Sequence, residues 1–289
     1  MLRINVIGAC LLLCIAASLE SKPVCGQEEG TLHSEKMGRF LARVIAERDK
    51  LVLYQFTYTI ATDEPTSFVA RMFPDKLKIT YEYSKLDDHE LLMFDYSDCA
   101  DRKEWPVEWR GRSGSYRISG RKGPGGGVCN LYDDSPDMGE SLRYTEFIDL
   151  NILGLCFCGD FGHPPRWRFL PLMKNMKEHS DHYWKILDIQ DKETRVASTD
   201  GAEIVFSEEK GLWPIRSKLA FAEWAIDVEK RHDHFVPTKF RVSCKEKIPV
   251  VLEGTIEWTS INRPFQVGKA AAERIAKQFE VSLVDTTGR

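Results

Sequence analysis

The sequence predicts an α+β fold built on one large antiparallel β-sheet of about ten or eleven strands. Three observations lead there. Segment after segment alternates apolar and polar residues with a period of two, as strands with one buried face do. Helical spacing is confined to a stretch near the start, one in the middle and one at the end. No internal repeat and no long linker divides the chain, so one domain over residues 27–289 is the economical arrangement.

Composition agrees with a folded core. Of the 289 residues, 43% are hydrophobic, which is ordinary globular usage. The 40 basic and 44 acidic residues are interspersed, with a net charge of −4. Nucleic-acid binders carry a basic face or tail, and none is evident here, so nucleic acid is excluded as a partner.

Residues 1–26 read as a signal peptide. Arg3 precedes an apolar run from Val6 to Ala17, too short to span a bilayer, and small residues allow cleavage after Ser18 or after Gly26. The expectation is export to a periplasm or the exterior. Next, Met37, Phe40, Leu41, Val44 and Ile45 recur at helical spacing behind Ser34, a candidate cap, for a helix of about fifteen residues. From Val52 the period becomes two. Tyr54, Phe56, Tyr58 and Ile60 share one face, Ser67 to Phe73 forms a second strand, and Leu77, Ile79, Tyr81 and Tyr83 alternate with polar residues in a third. Leu91 to Tyr96 and a stretch between Val107 and Ser119, bent at Gly111 and Gly114, extend the meander.

The alternation lapses between Gly120 and His163. Gly123-Pro124-Gly125-Gly126-Gly127 reads as a flexible connection, and Met138 to Ile152 and a stretch ending at Glu178 as helices. Strands then resume around Ile186, Ile204, Ile215, Ile226, Phe240 and Val250 to Trp258. Lys269 to Phe279 is a terminal helix with a polar tail behind it. In an oxidising compartment the cysteines are candidates for disulfides, with Cys99 and Cys129 the preferred pair because they flank a stretch able to fold back.

The order of signal peptide, amphipathic helix, long antiparallel strands, helical interruption and further strands resembles the LolA-like lipoprotein-carrier and lipoprotein-sorting proteins of the Gram-negative periplasm. The segments that carry the resemblance are Phe56-Thr57-Tyr58-Thr59-Ile60, Asn151-Ile152-Leu153-Gly154-Leu155, the stretch from Glu203 to Arg216 and the one from Phe235 to Val242. It covers roughly residues 34–265. The resemblance implies an incomplete β-barrel whose concave, apolar face is covered by helices and receives acyl chains. Its implied partner is a lipid or lipidated protein, with no catalytic residue and no cofactor.

On that basis Tyr54, Phe56, Tyr58, Ile60, Leu77, Ile79, Tyr81 and Tyr83 are the candidate cavity wall. A filled core explains alternating aromatics equally well, and would make the chain a non-catalytic interaction or sensing protein of the envelope. A third reading, a metal-dependent hydrolase, rests on His232 and His234, which share a face if they lie in one strand, and on His179 and His182. These histidines lack a scaffolded ligand spacing, and solvated turns account for them. Gly111-Arg112-Ser113-Gly114-Ser115 does not satisfy the G-x-S-x-G nucleophile pattern.

Overall fold

The computed structural model describes residues 27–63, 75–99, 104–134, 153–155, 169–180, 183–190, 192–219, 222–244 and 250–288, with side chains from Ser34 onward except at 171, 189 and 190. The export segment, the expected strand from Ser67 to Phe73, the expected helix from Met138 to Ile152, and Cys25, Cys156, Cys158, His163 and His182 lie outside these residues.

The elements run α1 (Gln27–Arg48), β1 (Leu53–Thr62), β2 (Lys78–Ser84), β3 (His89–Asp95), β4 (Val107–Ser113), β5 (Tyr116–Gly123) and β6 (Gly126–Asp133). After these come α2 (Phe169–Glu178), β7 (Trp184–Gln190), β8 (Glu193–Ser198), β9 (Glu203–Ser207), β10 (Trp213–Lys218), β11 (Ala222–Arg231), β12 (His234–Cys244) and β13 (Val250–Ile261). The last are α3 (Lys269–Phe279) and β14 (Ser282–Asp285). Among the described residues there are three helices and fourteen strands, all in one sheet ordered β14-β6-β5-β4-β3-β2-β1-β13-β12-β11-β10-β9-β8-β7. Two meanders meet where β1 pairs antiparallel with β13. β7 and β14 are the edges and do not pair with each other, so the sheet is open. At the usual strand spacing it spans about 60 Å.

The two faces of this sheet are covered differently along its length. One face carries the aromatic residues of β1 and β2 and the inward residues of β11, β12 and β13, a cluster that includes Trp213, Leu51 and Leu153. On that same face at the β7 end, Met37, Phe40, Leu41 and Val44 of α1 and Leu172, Met173 and Met176 of α2 pack with Val196, Ile204 and Phe206. Arg48, buried in the last turn of α1, donates to the carbonyls of Gly211 and Leu212 and lies 3.4 Å over the Trp213 ring, so the helix end is pinned to the turn before β10. On the opposite face at the other end, α3 sets Ala271, Ala272, Ile275 and Ala276 on Leu91, Met93, Trp109, Ile118, Cys129 and Leu131. Among the described residues no helix is long and apolar enough to cross a membrane.

Several expectations are corrected here. α1 begins at Gln27 rather than at a cap on Ser34, and runs for 22 residues. The stretch from Val107 to Ser119 is two strands of a hairpin turning at Gly114, and the glycine run is another tight turn between β5 and β6. Gly120 interrupts the alternation of β5 because a β-carbon there would meet the Val128 carbonyl at 2.1 Å and the Trp109 indole at 2.7 Å. β8 escaped notice because two of its six residues are charged and only one of its three buried positions, Val196, is apolar, and the polar tail is a strand, β14, lying parallel to β6. Helices were expected on one face only, whereas α3 lies on the reverse face, which is itself apolar at that end.

The preferred disulfide is also overturned. Cys99 and Cys129 are separate buried thiols. Cys99 belongs to the aromatic cluster, whereas Cys129 sits under α3 on the other side of the sheet, so the sheet itself stands between them.

Candidate functional site

β1 alternates without fault: Tyr54, Phe56, Tyr58 and Ile60 are buried. Antiparallel register sets Tyr54 opposite Tyr83, Phe56 opposite Tyr81 and Tyr58 opposite Ile79, and residues directly opposite share a face. On the other side Phe56 faces Trp258 and Ile60 faces Gly254. The side chains therefore form one aromatic field. Tyr54 and Tyr83 stack at 5.0 Å between centroids, Phe56 meets Tyr81 at 5.4 Å and Trp258 at 5.4 Å, and Tyr58 meets the edge of Phe240 at 6.1 Å. Leu77 lies in the same cluster. Tyr83, Phe235 and Trp258 are half-buried and form its rim.

Three polar groups of this field find partners at its margins, whereas the buried Trp224 indole N–H has none among the described residues. The Tyr81 hydroxyl donates to the Glu90 carboxylate at 2.8 Å, and the indole N–H of Trp213 and Trp258 donate to the carbonyls of Phe235 and Pro237, each at 2.7 Å. Beyond β3 the same face changes character. Arg110, Arg112, Arg117 and Arg121 stand on β4 and β5, with a Ser119–Tyr132 hydroxyl pair at 2.7 Å beside them.

A groove of about 560 Å³ lies at the other end of the sheet, where Arg195, Arg216, Lys218, Arg241, Glu203 and Glu223 surround Val205 and Ala225. By register these residues lie on the reverse face. Ion pairs tie the groove together: Arg195 to Glu203 at 3.1 Å, Arg216 to Glu193 at 3.0 Å and Arg241 to Glu253 at 3.5 Å. Such a lining suits no acyl chain.

A buried polar network lies under α3, and the sequence reading missed it. The Glu82 carboxyl accepts from Arg274 at 2.6 Å and from Gln55 at 2.9 Å, and lies 3.4 Å from His89 Nε2. His89 Nδ1 is 2.6 Å from Ser113 Oγ, which also accepts the backbone N–H of Gly268 at the start of α3. Serine, histidine and glutamate are thus brought together, but Ser113 is fully buried and its oxygen is taken up by two partners, so no substrate reaches it. The network tethers α3. Its only local signal was His89 in the row of Leu91 and Met93 on β3, since Glu82 follows Lys78 and Thr80 on the polar side of β2.

The histidines are placed as follows. His232 and Asp233 are the two central residues of the β11–β12 turn, both with φ in the left-handed region, as two-residue hairpin loops require. His232 and His234 therefore do not share a strand face. His232 is exposed, and His234 Nε2 lies 3.2 Å from Asn262 Nδ2. His179 is exposed at the end of α2. Among the described residues no group of three His, Cys, Asp or Glu side chains converges.

The class defined by these features is an open, single-sheet α+β protein with an aromatic face flanked by helices at one end and by arginines at the other. Solved structures with a similar outline include a LolA superfamily protein of Nitrosomonas europaea, 11% identical over 80% of this chain and 94% of that one, with a TM-score of 0.40. A DUF1329 family protein of Desulfovibrio piger is 9% identical over 84% of this chain and 98% of that one, with a TM-score of 0.37. The lipoprotein LppX of Mycobacterium tuberculosis is 8% identical over 80% and 99%, with a TM-score of 0.30. No family model matches the chain, and no curated protein matches it.

Proposed function

We propose that this chain is an exported envelope protein, a single domain from residue 27 onward, that holds a lipid or the lipid part of a modified protein against its aromatic face and performs no catalysis. The observation that carries this reading is the continuous apolar field from β11 through β1 to β3 on an open sheet, with α1 and α2 beside it. Among the described residues only α1 and α2 stand on that face, at its β7 end, α3 being on the reverse. Each methylene transferred from water to that surface contributes about 0.8 kcal/mol, which makes an acyl chain a sufficient ligand. Tyr83, Phe235 and Trp258, at the rim, are the point of entry.

A second reading is favoured by the ring packing itself. Tyr54, Phe56 and Tyr58 are almost wholly buried and touch one another, as side chains of a filled core do, and function would then reside on the outer surface of an envelope interaction protein. Native mass spectrometry of the chain exported by a Gram-negative host, followed by organic extraction, separates the two. A stoichiometric adduct of lipid mass supports the holding protein. A clean mass that lipids and detergents leave unchanged supports the filled core and ends the first reading.

A further inference from the structure

We infer that the groove on the reverse face binds an acidic sugar, its acid group held over Ala225 by Arg216, Lys218 and Arg241 and its hydroxyls by Glu203 and Ser243. The sheet separates this groove from the aromatic face, so the two surfaces take their ligands independently.

Register builds the site. Cross-strand partners share a face, and Ala225 of β11 stands opposite Arg216 of β10 on one side and Arg241 of β12 on the other. At the usual strand spacing the two arginine backbones are about 10 Å apart, and Lys218 lies two residues along β10 from Arg216, on the same face and about 7 Å away. Ala225 is exposed, so the floor between the three cations is open. The groove as a whole is lined by four cations, Arg195 included, against the two carboxylates of Glu203 and Glu223, in a chain whose net charge is −4. Like charges gathered around one small residue repel one another, and a bound anion offsets that repulsion.

The donors around Ala225 are available. Arg216 pairs through one terminal nitrogen with Glu193 at 3.0 Å, and Arg241 through Nε with Glu253 at 3.5 Å. Glu193 belongs to β8 and Glu253 to β13, each on the side of its arginine away from Ala225. Both arginine side chains are 62% exposed, and ion pairs so exposed are weak enough to share their cation with a ligand. A guanidinium carries five N–H donors, of which these pairs occupy few. Lys218 is exposed and makes no hydrogen bond or ion pair among the described residues.

The mixture of donors and acceptors names the ligand class. Guanidinium forks match carboxylate and phosphate. Glu203, on β9 opposite Lys218, meets Arg195 at 3.1 Å, and an ionised carboxyl has about four acceptor sites, which leaves room for hydroxyl donors. Ser243, half-buried two residues along β12 from Arg241, both donates and accepts. Alcohols suit these groups, whereas a bare polyanion meets repulsion from Glu203. Among the described residues no aromatic side chain faces the groove for a nucleobase to stack on, since Trp224 belongs to the cluster on the other face. The volume of about 560 Å³ is that of a small-molecule site rather than of a single acid group.

Calorimetric titration of the full chain at low salt tests this with four probes: glucose 6-phosphate, trigalacturonate, maltotriose, which has hydroxyls without an acid, and tricarballylate, which has acids without hydroxyls. One or both of the acidic sugars should bind about tenfold or more tightly than maltotriose and tricarballylate, the worth of one charge-assisted hydrogen bond, and added sodium chloride should weaken that binding. Tighter binding of glucose 6-phosphate marks a free sugar phosphate as the source, and tighter binding of trigalacturonate an acidic polysaccharide. Lys218→Gln and Arg241→Gln should each weaken the better probe about tenfold. Ala225→Leu, which keeps every charge and fills the floor, should abolish its binding, whereas Lys277→Gln, exposed on α3, should leave it unchanged. Should a charge variant fail to fold, Ala225→Leu at an exposed strand position and the comparison of probes on the unaltered chain carry the test. Binding of neither acidic sugar, equal binding of maltotriose or tricarballylate, or an affinity that survives Ala225→Leu overturns the inference, and each of these results leaves the lipid-holding reading as it stands.

Discussion

Replacing Arg274 by alanine tests the tether under α3. The Glu82 side chain is 1% exposed and its carboxyl loses its only cationic side chain at hydrogen-bond distance among the described residues when the guanidinium, 2.6 Å away, is removed. Breaking a fully buried ion pair costs about 3–5 kcal/mol, and because the Arg274 side chain is 26% exposed the expected loss is smaller, about 2–4 kcal/mol. Glu82→Gln should cost less, about 1–2 kcal/mol, since the orphaned guanidinium reaches water whereas an orphaned carboxyl does not. The double variant should lose less than the sum of the two, by about 1 kcal/mol or more, because the groups interact directly. Urea unfolding followed by tryptophan fluorescence is a suitable assay, since Trp109 stacks on Phe279 of α3 at 5.1 Å and reports undocking of the helix. A loss under about 1 kcal/mol for Arg274→Ala, or strict additivity of the two substitutions, would refute the view that this pair holds the helix.

Gly254→Ala should destabilise by about 1–3 kcal/mol through overpacking, because the new carbon would lie 2.1 Å from the Phe240 ring directly opposite; a Phe240→Leu change in the same chain should restore part of the loss in urea midpoint. Burial pushes the Cys129 thiol above its usual range, only partly offset by the neighbouring Trp109 indole, so iodoacetamide at mildly alkaline pH should leave Cys129 unlabelled in the folded chain and label it in urea, as peptide mass mapping would reveal. Hydrogen bonds from Lys269 and Thr287 hold the Asp285 carboxyl far below the usual carboxylate range, and Asp285 in turn raises Lys269. A lowered acid contributes its stability above the ordinary carboxylate value, about pH 3.9, and loses it as pH falls towards the folded value; a raised lysine contributes below its ordinary value and loses it as pH rises. Amide exchange in β14, corrected for its intrinsic pH dependence, should therefore stay flat through neutral pH and accelerate in strong acid; acceleration between pH 5 and 8 would contradict the pairing.

Much of this molecule was legible in the sequence wherever the information is local. The alternation of Tyr54, Phe56, Tyr58 and Ile60 assigned both a strand and its buried face, because side-chain direction in a strand has a period of two whatever the strand pairs with. The same logic placed Met37, Phe40, Leu41 and Val44 on the packed side of α1, and Ala271, Ala272 and Ile275 on that of α3. Local patterns failed where a tertiary neighbour set the residue. Gly120 made β5 look irregular because Trp109 occupies the space of its side chain, and the left-handed turn at His232 and Asp233 put two histidines only two positions apart, His232 and His234, into different surroundings.

The sequence by itself determined most of the strands and their faces, the helices at the two ends and the absence of a nucleic-acid-binding charge pattern, since these depend on residue type and spacing along the chain. Only the tertiary structure decided which strands are neighbours, and with that almost everything chemical. Pairing of β1 with β13 joined the two meanders into one aromatic field. Docking of α3 brought Arg274 to Glu82 across 192 residues, and placed Cys129 on the side of the sheet away from Cys99. The alignment of Arg216, Ala225 and Arg241 belongs to the same category. The physical reason is that a strand's period says which residues face together within it, whereas only the register between strands says which of its two faces meets which face of the next.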